Sequence, residues 1–179
     1  MWIYLIILAL LIYVVGIFNK LIRAKNQVQE ASADINVQLK RRFDLIPNLI
    51  ETVKGYMNHE KEVLEKITEL RAQALTTKDF AASDKLNQEI TKNISSILVS
   101  FENYPDLKAN TNFLSLQTEL VDTENKIQAA RRFYNNIVKD YNILIESIPT
   151  NLFAKIFNHS RKPMLEITAK EAENVTVKF

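Results

Sequence analysis

The chain has 179 residues, with 23 lysines and arginines against 21 aspartates and glutamates, two glycines, four prolines and no cysteine. A formal net charge of +2 argues against a dedicated nucleic-acid binder, and the lack of cysteine excludes a disulfide framework, a thiolate zinc site and an iron–sulfur cluster. Beyond the uncharged N-terminal run the only glycine is Gly55, too few for the turns that β-hairpins, Rossmann domains and P-loops require.

The first 18 residues, Met1 to Phe18, carry no charge. As a helix they span about 27 Å, close to the hydrocarbon thickness of a bilayer. Trp2 and Tyr4 suit one interface, and Lys20, Arg23 and Lys25 suit the other, where their stems can snorkel. No basic residue precedes the apolar run and no small-residue cleavage site follows it, so an uncleaved transmembrane anchor is favoured over a signal peptide. The basic flank places the N-terminus outside and the following body in the cytoplasm.

The expected fold is all-α: an N-terminal transmembrane helix (1–18), then an elongated up-and-down four-helix bundle (19–148), a short amphipathic helix (149–160) and an extended or disordered tail (161–179). Bundle helices are expected at about 19–42, 45–75, 79–103 and 110–148. The first continues the anchor through Ala24, Val28, Ala31, Ile35 and Leu39. Residues 40–46 form either a tight turn or a proline kink; the turn is preferred because it leaves helices of comparable length. The second helix takes Asp44 as cap and Pro47 in its first turn. Its 3-4 seam is Ile46, Leu49, Val53, Tyr56, Glu60, Val63, Ile67, Leu70 and Ala74, with Gly55 inside the helix. The third presents Leu86, Ile90, Ile94, Ile97, Leu98 and Phe101. The fourth, capped by Asn110, repeats the step through Phe113, Leu116, Leu120, Thr123, Ile127, Ala130, Tyr134, Ile137, Tyr141, Leu144 and Ile148 before Pro149. Short links favour antiparallel neighbours and return the chain end toward the bilayer. There Thr150 can cap an amphipathic turn whose Leu152, Phe153, Ile156 and Phe157 either rest on the membrane or close the end of the core.

Catalytic patterns fail on inspection. His59-Glu60 opens a zinc-protease motif, but position 63 is valine. Tyr56 and Ile156 stand where di-iron bundles need glutamate. Both histidines are expected in solvent, and neither a metal site nor a cofactor is expected. Lys40-Arg41-Arg42 reads as a solvated helix end opposing the macrodipole. The polar candidates within the bundle are Glu60, Thr123 and Arg131; polar seam residues set register, and Arg131 is expected to reach an inter-helix carboxylate such as Glu60.

Three blocks closely resemble the LemA family. The first runs from Ile35 to Tyr56, with Arg41-Arg42-Phe43-Asp44-Leu45-Ile46-Pro47-Asn48-Leu49 at its centre, followed by His59-Glu60. The second is Glu102-Asn103-Tyr104-Pro105-Asp106-Leu107-Lys108-Ala109-Asn110 with Phe113-Leu114 and Leu116-Gln117. The third comprises Thr123-Glu124-Asn125-Lys126-Ile127, Ala130-Arg131-Arg132-Phe133-Tyr134-Asn135, Asp140-Tyr141-Asn142 and Pro149-Thr150-Asn151-Leu152. The chain departs from the family at Ser32, usually tryptophan, and at Asn36, usually aspartate. The resemblance implies a bacterial membrane protein with one transmembrane helix, an elongated helical bundle and no established enzyme activity; a membrane-bound protease is a weakly indicated protein partner. The expected function is therefore a non-enzymatic scaffold or interaction module at the cytoplasmic face, in contact with the lipid bilayer through its N-terminal helix and not with nucleic acid. Surplus apolar surface leaves a homo-oligomer open. The alternative is a ligand-sensing bundle exposed outside the cytoplasmic membrane.

Overall fold

The structure, a computed structural model, describes residues 1–57, 60–77 and 79–165. Among these the fold is all-α, in the order α1 (Trp2–Lys54), α2 (Lys61–Thr76), α3 (Phe80–Ser100), a 3-10 turn (Phe101–Asn103), α4 (Pro105–Lys108), α5 (Thr111–Glu146) and α6 (Thr150–Ile156). The chain divides into two compact units. One joins Met1–Ile35 to Ala129–Met164, and the other is built on Asn36–Gln128. Helices α1 and α5 each contribute one part to either unit. The expected tail lies mostly outside the described residues, and 161–165 has no regular structure.

The turn expected at 40–46 does not form. Helix α1 continues through Pro47 to Lys54, and the first break comes directly after it, at Gly55. Pro47 therefore sits in a helix interior, where its ring nitrogen cannot donate to the carbonyl of Phe43, four residues earlier. Arg71 of α2 replaces the missing donor: its Nε donates to the Phe43 carbonyl at 2.6 Å. The long helix also has partners along its length. Its later part contacts α2, α3 and α5 in the second unit, and its earlier part meets the end of α6 in the first.

Gly55 is not inside a helix. It follows Lys54 directly, and the amides of Tyr56 and Met57 both close back on the Val53 carbonyl, at 2.9 and 3.0 Å. Its φ is not positive, and an added Cβ would meet nothing within 4 Å, so close helix packing does not explain the glycine. The break also resets the seam. Met57 and Leu64 are buried, whereas Tyr56 is exposed and Val63 half-buried.

Side chains cap two helix starts, the second of them as expected. Asp79 accepts from the Ala82 amide at 2.7 Å to start α3, and Asn110 accepts from the amides of Asn112 and Phe113 to start α5. Helices α2 and α3 pack together through Leu64, Ile67, Leu70 and Ala74 on one side and Ile90, Ile94 and Ile97 on the other. The same α3 line begins with two buried polar residues, Asp84 and Asn87, and Leu86 stands beside it half-buried.

On α5 the buried line is Phe113, Leu120, Thr123, Ile127, Arg131, Tyr134, Val138, Tyr141 and Ile145. It shares Phe113, Leu120, Thr123, Ile127, Tyr134 and Tyr141 with the expected seam, while Arg131, Val138 and Ile145 take the places expected for Ala130, Ile137 and Leu144. Ala130, Ile137 and Leu144 are only half-buried, and Ile148 is 85% exposed. The steps from Leu120 to Arg131 are three, four and four, an eleven-residue repeat that follows a straight helix more closely than a strict heptad does. Helix α1 makes the same four-four step at Ala31, Ile35 and Leu39 before resuming at Arg42, Ile46, Leu49 and Val53. Both steps fall where the helix passes from one unit to the other.

The Arg71 contact is testable by a two-residue cycle. Arg71→Leu should cost about 1.5–3 kcal/mol, the range for a hydrogen bond from a charged donor. In a Pro47→Ala background, where the backbone amide of residue 47 can serve Phe43, the same change should cost much less. Thermal unfolding of the full chain in detergent, followed by circular dichroism, measures both; equal costs in the two backgrounds would rule out the replacement.

Candidate functional site

The basic run 40–42 is not a solvated helix end, because α1 continues twelve residues beyond Arg42. Arg41 is half-exposed and lies 3.8 Å from the Asp122 carboxylate. Arg42, by contrast, is 2% exposed. Its Nη1 donates to Glu124 Oε2 at 2.6 Å, Thr91 Oγ1 at 2.7 Å and Asn87 Oδ1 at 3.2 Å. One guanidinium thereby joins α1, α3 and α5. Burial pulls its pKa below the ordinary arginine range, and the charge and hydrogen bond of Glu124 oppose that pull. Arginine keeps its proton in either case, so the cluster holds a permanent buried cation. Thr91 also donates to the Asn87 carbonyl at 3.0 Å, and Gln128 donates to the second Glu124 oxygen at 3.0 Å. Arg42 Nε and Gln38 Oε1, one helical turn apart on α1, are buried without a hydrogen-bond partner among the described residues.

The three polar candidates from the sequence do not form one site. Glu60 accepts from the Tyr104 hydroxyl at 2.8 Å, a bond that raises the Tyr104 pKa. Thr123 is fully buried and bonds within its own helix, to the Glu119 carbonyl at 2.7 Å. Arg131 takes a core position in the other unit. The sequence reading missed Arg42, Asn87 and Thr91. The usable signal was their spacing: Arg42 lies on the α1 line three residues after Leu39, and Asn87 and Thr91 are one turn apart on α3.

In the first unit, Trp2 and Tyr4 and most of the run to Phe18 are exposed, as are Lys20, Arg23 and Lys25. Among the described residues α1 is the one helix long and apolar enough, by length and composition, to cross a membrane. Helix α6 begins at Thr150 itself, with Pro149 preceding it, so Thr150 does not cap it. Of its expected apolar face, Leu152 and Ile156 are 60% and 72% exposed, while Phe153 is half-buried and Ala154 buried. Phe157 packs edge-on against Phe18, ring centres 4.9 Å apart, and ties the end of α6 to the end of the uncharged run.

The chain leaves α6 through a left-handed residue, Asn158, at φ 55°. The Asn158 amide donates to the Lys155 carbonyl at 3.2 Å and the His159 amide to the Ala154 carbonyl at 2.8 Å, the paired bonds of a Schellman cap. That turn sets His159 against α5. Its Nδ1 lies 3.0 Å from the Tyr141 hydroxyl, so His159 is half-buried rather than in solvent. His59 lies outside the described residues. Farther on, Asn142 holds both the carbonyl and the amide of Lys162 at 2.9 Å, and the Tyr134 hydroxyl reaches the Pro163 carbonyl at 3.2 Å.

The LemA family model matches residues 17–179. The chain belongs to the LemA family. A curated relative, Protein LemA of Metamycoplasma hominis, is 32% identical over 169 residues, covering 89% of this chain and 77% of that protein. The family match begins at Ile17, inside the uncharged run, and so takes in both the Arg42 cluster and α6 of this LemA-family chain.

Two outcomes follow from this geometry. Arg42→Ala leaves Glu124, Asn87 and Thr91 without their shared donor and should cost about 3–5 kcal/mol, as breaking a buried ion pair does; a loss below about 1 kcal/mol in the same unfolding assay would show that the site relaxes or fills with water. His159 should titrate below the ordinary histidine value of about 6.5, because burial and then Lys25 and Lys162 disfavour its charged form. A histidine whose folded pKa is depressed gives stability that is full above the unfolded pKa and is lost as pH falls. Unfolding midpoints should thus decline below pH about 6.5, less so in His159→Gln, and an NMR titration giving a pKa above that value would refute the assignment.

Proposed function

We propose that this LemA-family protein is a membrane-tethered, non-enzymatic interaction module. The observation that carries the reading is the continuity of α1. The helix Trp2–Lys54 carries both an exposed, uncharged stretch at its start and, farther along, the buried Arg42. Exposing so much apolar surface to water would be costly at about 25 cal/mol per Å², and a bilayer removes that cost. A single span ending in Lys20, Arg23 and Lys25 orients the chain with its N-terminus outside and its body in the cytoplasm. The charged outer faces of α2, α3 and α5 are then available to a protein partner at the bilayer surface.

The anchor and its orientation are tested together. The chain should stay in the membrane pellet after alkaline carbonate washing. It has no cysteine, so Ser95→Cys, on the exposed face of α3, is a clean reporter. That thiol should resist a membrane-impermeant maleimide in intact cells and react after permeabilisation. Reaction in intact cells reverses the orientation and favours a sensing domain outside the membrane; release by carbonate removes the anchor. Cross-linking from the same position in membranes, followed by co-purification, identifies the partner or a second copy.

A further inference from the structure

We propose that the first unit binds one anionic phospholipid in a groove between α1 and α5, an inference that rests on the membrane-anchored reading. The groove has a volume of about 1070 Å³ and is walled by Tyr13, Gly16, Ile17, Lys20 and Ala24 on α1 and by Tyr141, Leu144 and Ile148 on the α5 side. That volume is just above the usual range of ligand sites, room for a headgroup, its glycerol and part of the acyl chains, and the groove is open, as acyl chains continuous with a bilayer require.

Its chemistry is graded along α1. The stretch from Tyr13 to Ile17 lies within the uncharged run, and Ile148, which faces it, is 85% exposed. Lys20 and Arg23 come next, exposed and without an ion pair among the described residues. At 1.5 Å per residue, Lys20 stands about 10 Å above Tyr13. The cations thus sit at headgroup level while the apolar walls lie in the hydrocarbon layer. Two cations in reach of one phosphate give charge-assisted hydrogen bonds, and Asp140 at the polar end offers an acceptor for a headgroup hydroxyl. With two positive groups against one negative, the rim favours a net anionic lipid such as phosphatidylglycerol over a zwitterionic one.

Gly16 keeps the groove open. A Cβ added there would meet nothing within 4 Å, so the position borders empty space and not packed protein. A bulky residue can therefore fill the groove without displacing the helices that form it. Ile148 has a place in the same picture: it lies just past the end of α5 at Glu146 and is exposed, and a lipid chain would cover it.

The test is native mass spectrometry of the full-length chain, extracted in mild detergent from membranes with equal phosphatidylglycerol and phosphatidylcholine. The wild-type chain should retain one phosphatidylglycerol, with a preference of roughly tenfold over phosphatidylcholine. Gly16→Leu should retain neither lipid. Lys20→Gln combined with Arg23→Gln should lose the preference while keeping the occupied groove. Equal retention of the two lipids by the wild type, or a Gly16→Leu chain that keeps its phosphatidylglycerol, overturns the proposal. So does a lipid-free dimer that Gly16→Leu dissociates, which would assign the groove to a second copy. A chain that remains in the membrane but carries no lipid overturns the groove alone; a chain that is not in the membrane overturns the anchor and the groove together.

Discussion

Proline at position 47 leaves the Phe43 carbonyl without its helical donor, and the Arg71 side chain takes that donor's place at 2.6 Å. The exchange matters because α1 supplies residues to both compact units. If the helix broke at Pro47, the residues before it would lose their register with Leu49 and Val53, which complete the buried line after Ile46. A side chain from α2 therefore secures the backbone of α1 at Phe43, while one residue earlier a side chain from α1, Arg42, secures α3 and α5. The two arginines work in opposite directions across the same packed layer.

Pro47 also shows why the sequence misled at this point. A proline within a helical pattern ordinarily marks a boundary, and the compensating donor is 24 residues away along the chain, where no local rule looks for it. Gly55 was misread for the complementary reason: its neighbours have helical spacing, so the break was displaced onto the proline. The long-range pattern was more legible. Ile35, Leu39, Ile46, Ile67, Ile90 and Ile127 are all buried at the positions their apolar spacing predicts, and Asn110 caps α5 as its side chain suggests.

The polar interior was the least legible part. Arg42 lies in a basic triplet, and two of its neighbours there, Lys40 and Arg41, do face solvent. Only the phase of the helix distinguishes it, and that phase depended on the α1 turn that does not form. Likewise, Arg131 enters the core because the buried line takes two steps of four at Ile127, which a strict 3-4 count passes over. His159 was assigned to solvent because nothing in the sequence announces that Asn158 will adopt a left-handed conformation and turn the chain back onto Tyr141.

The choice of residue at position 42 has a chemical consequence of its own. A buried lysine or histidine can shed its proton and so become sensitive to the acidity around it. A guanidinium cannot, and its fixed planar fork also fits several acceptors at once. The centre of the second unit is thus built around a charge that is never switched off. Burial and the nearby Lys25 and Lys162 instead make His159, in the other unit, a group that responds to pH.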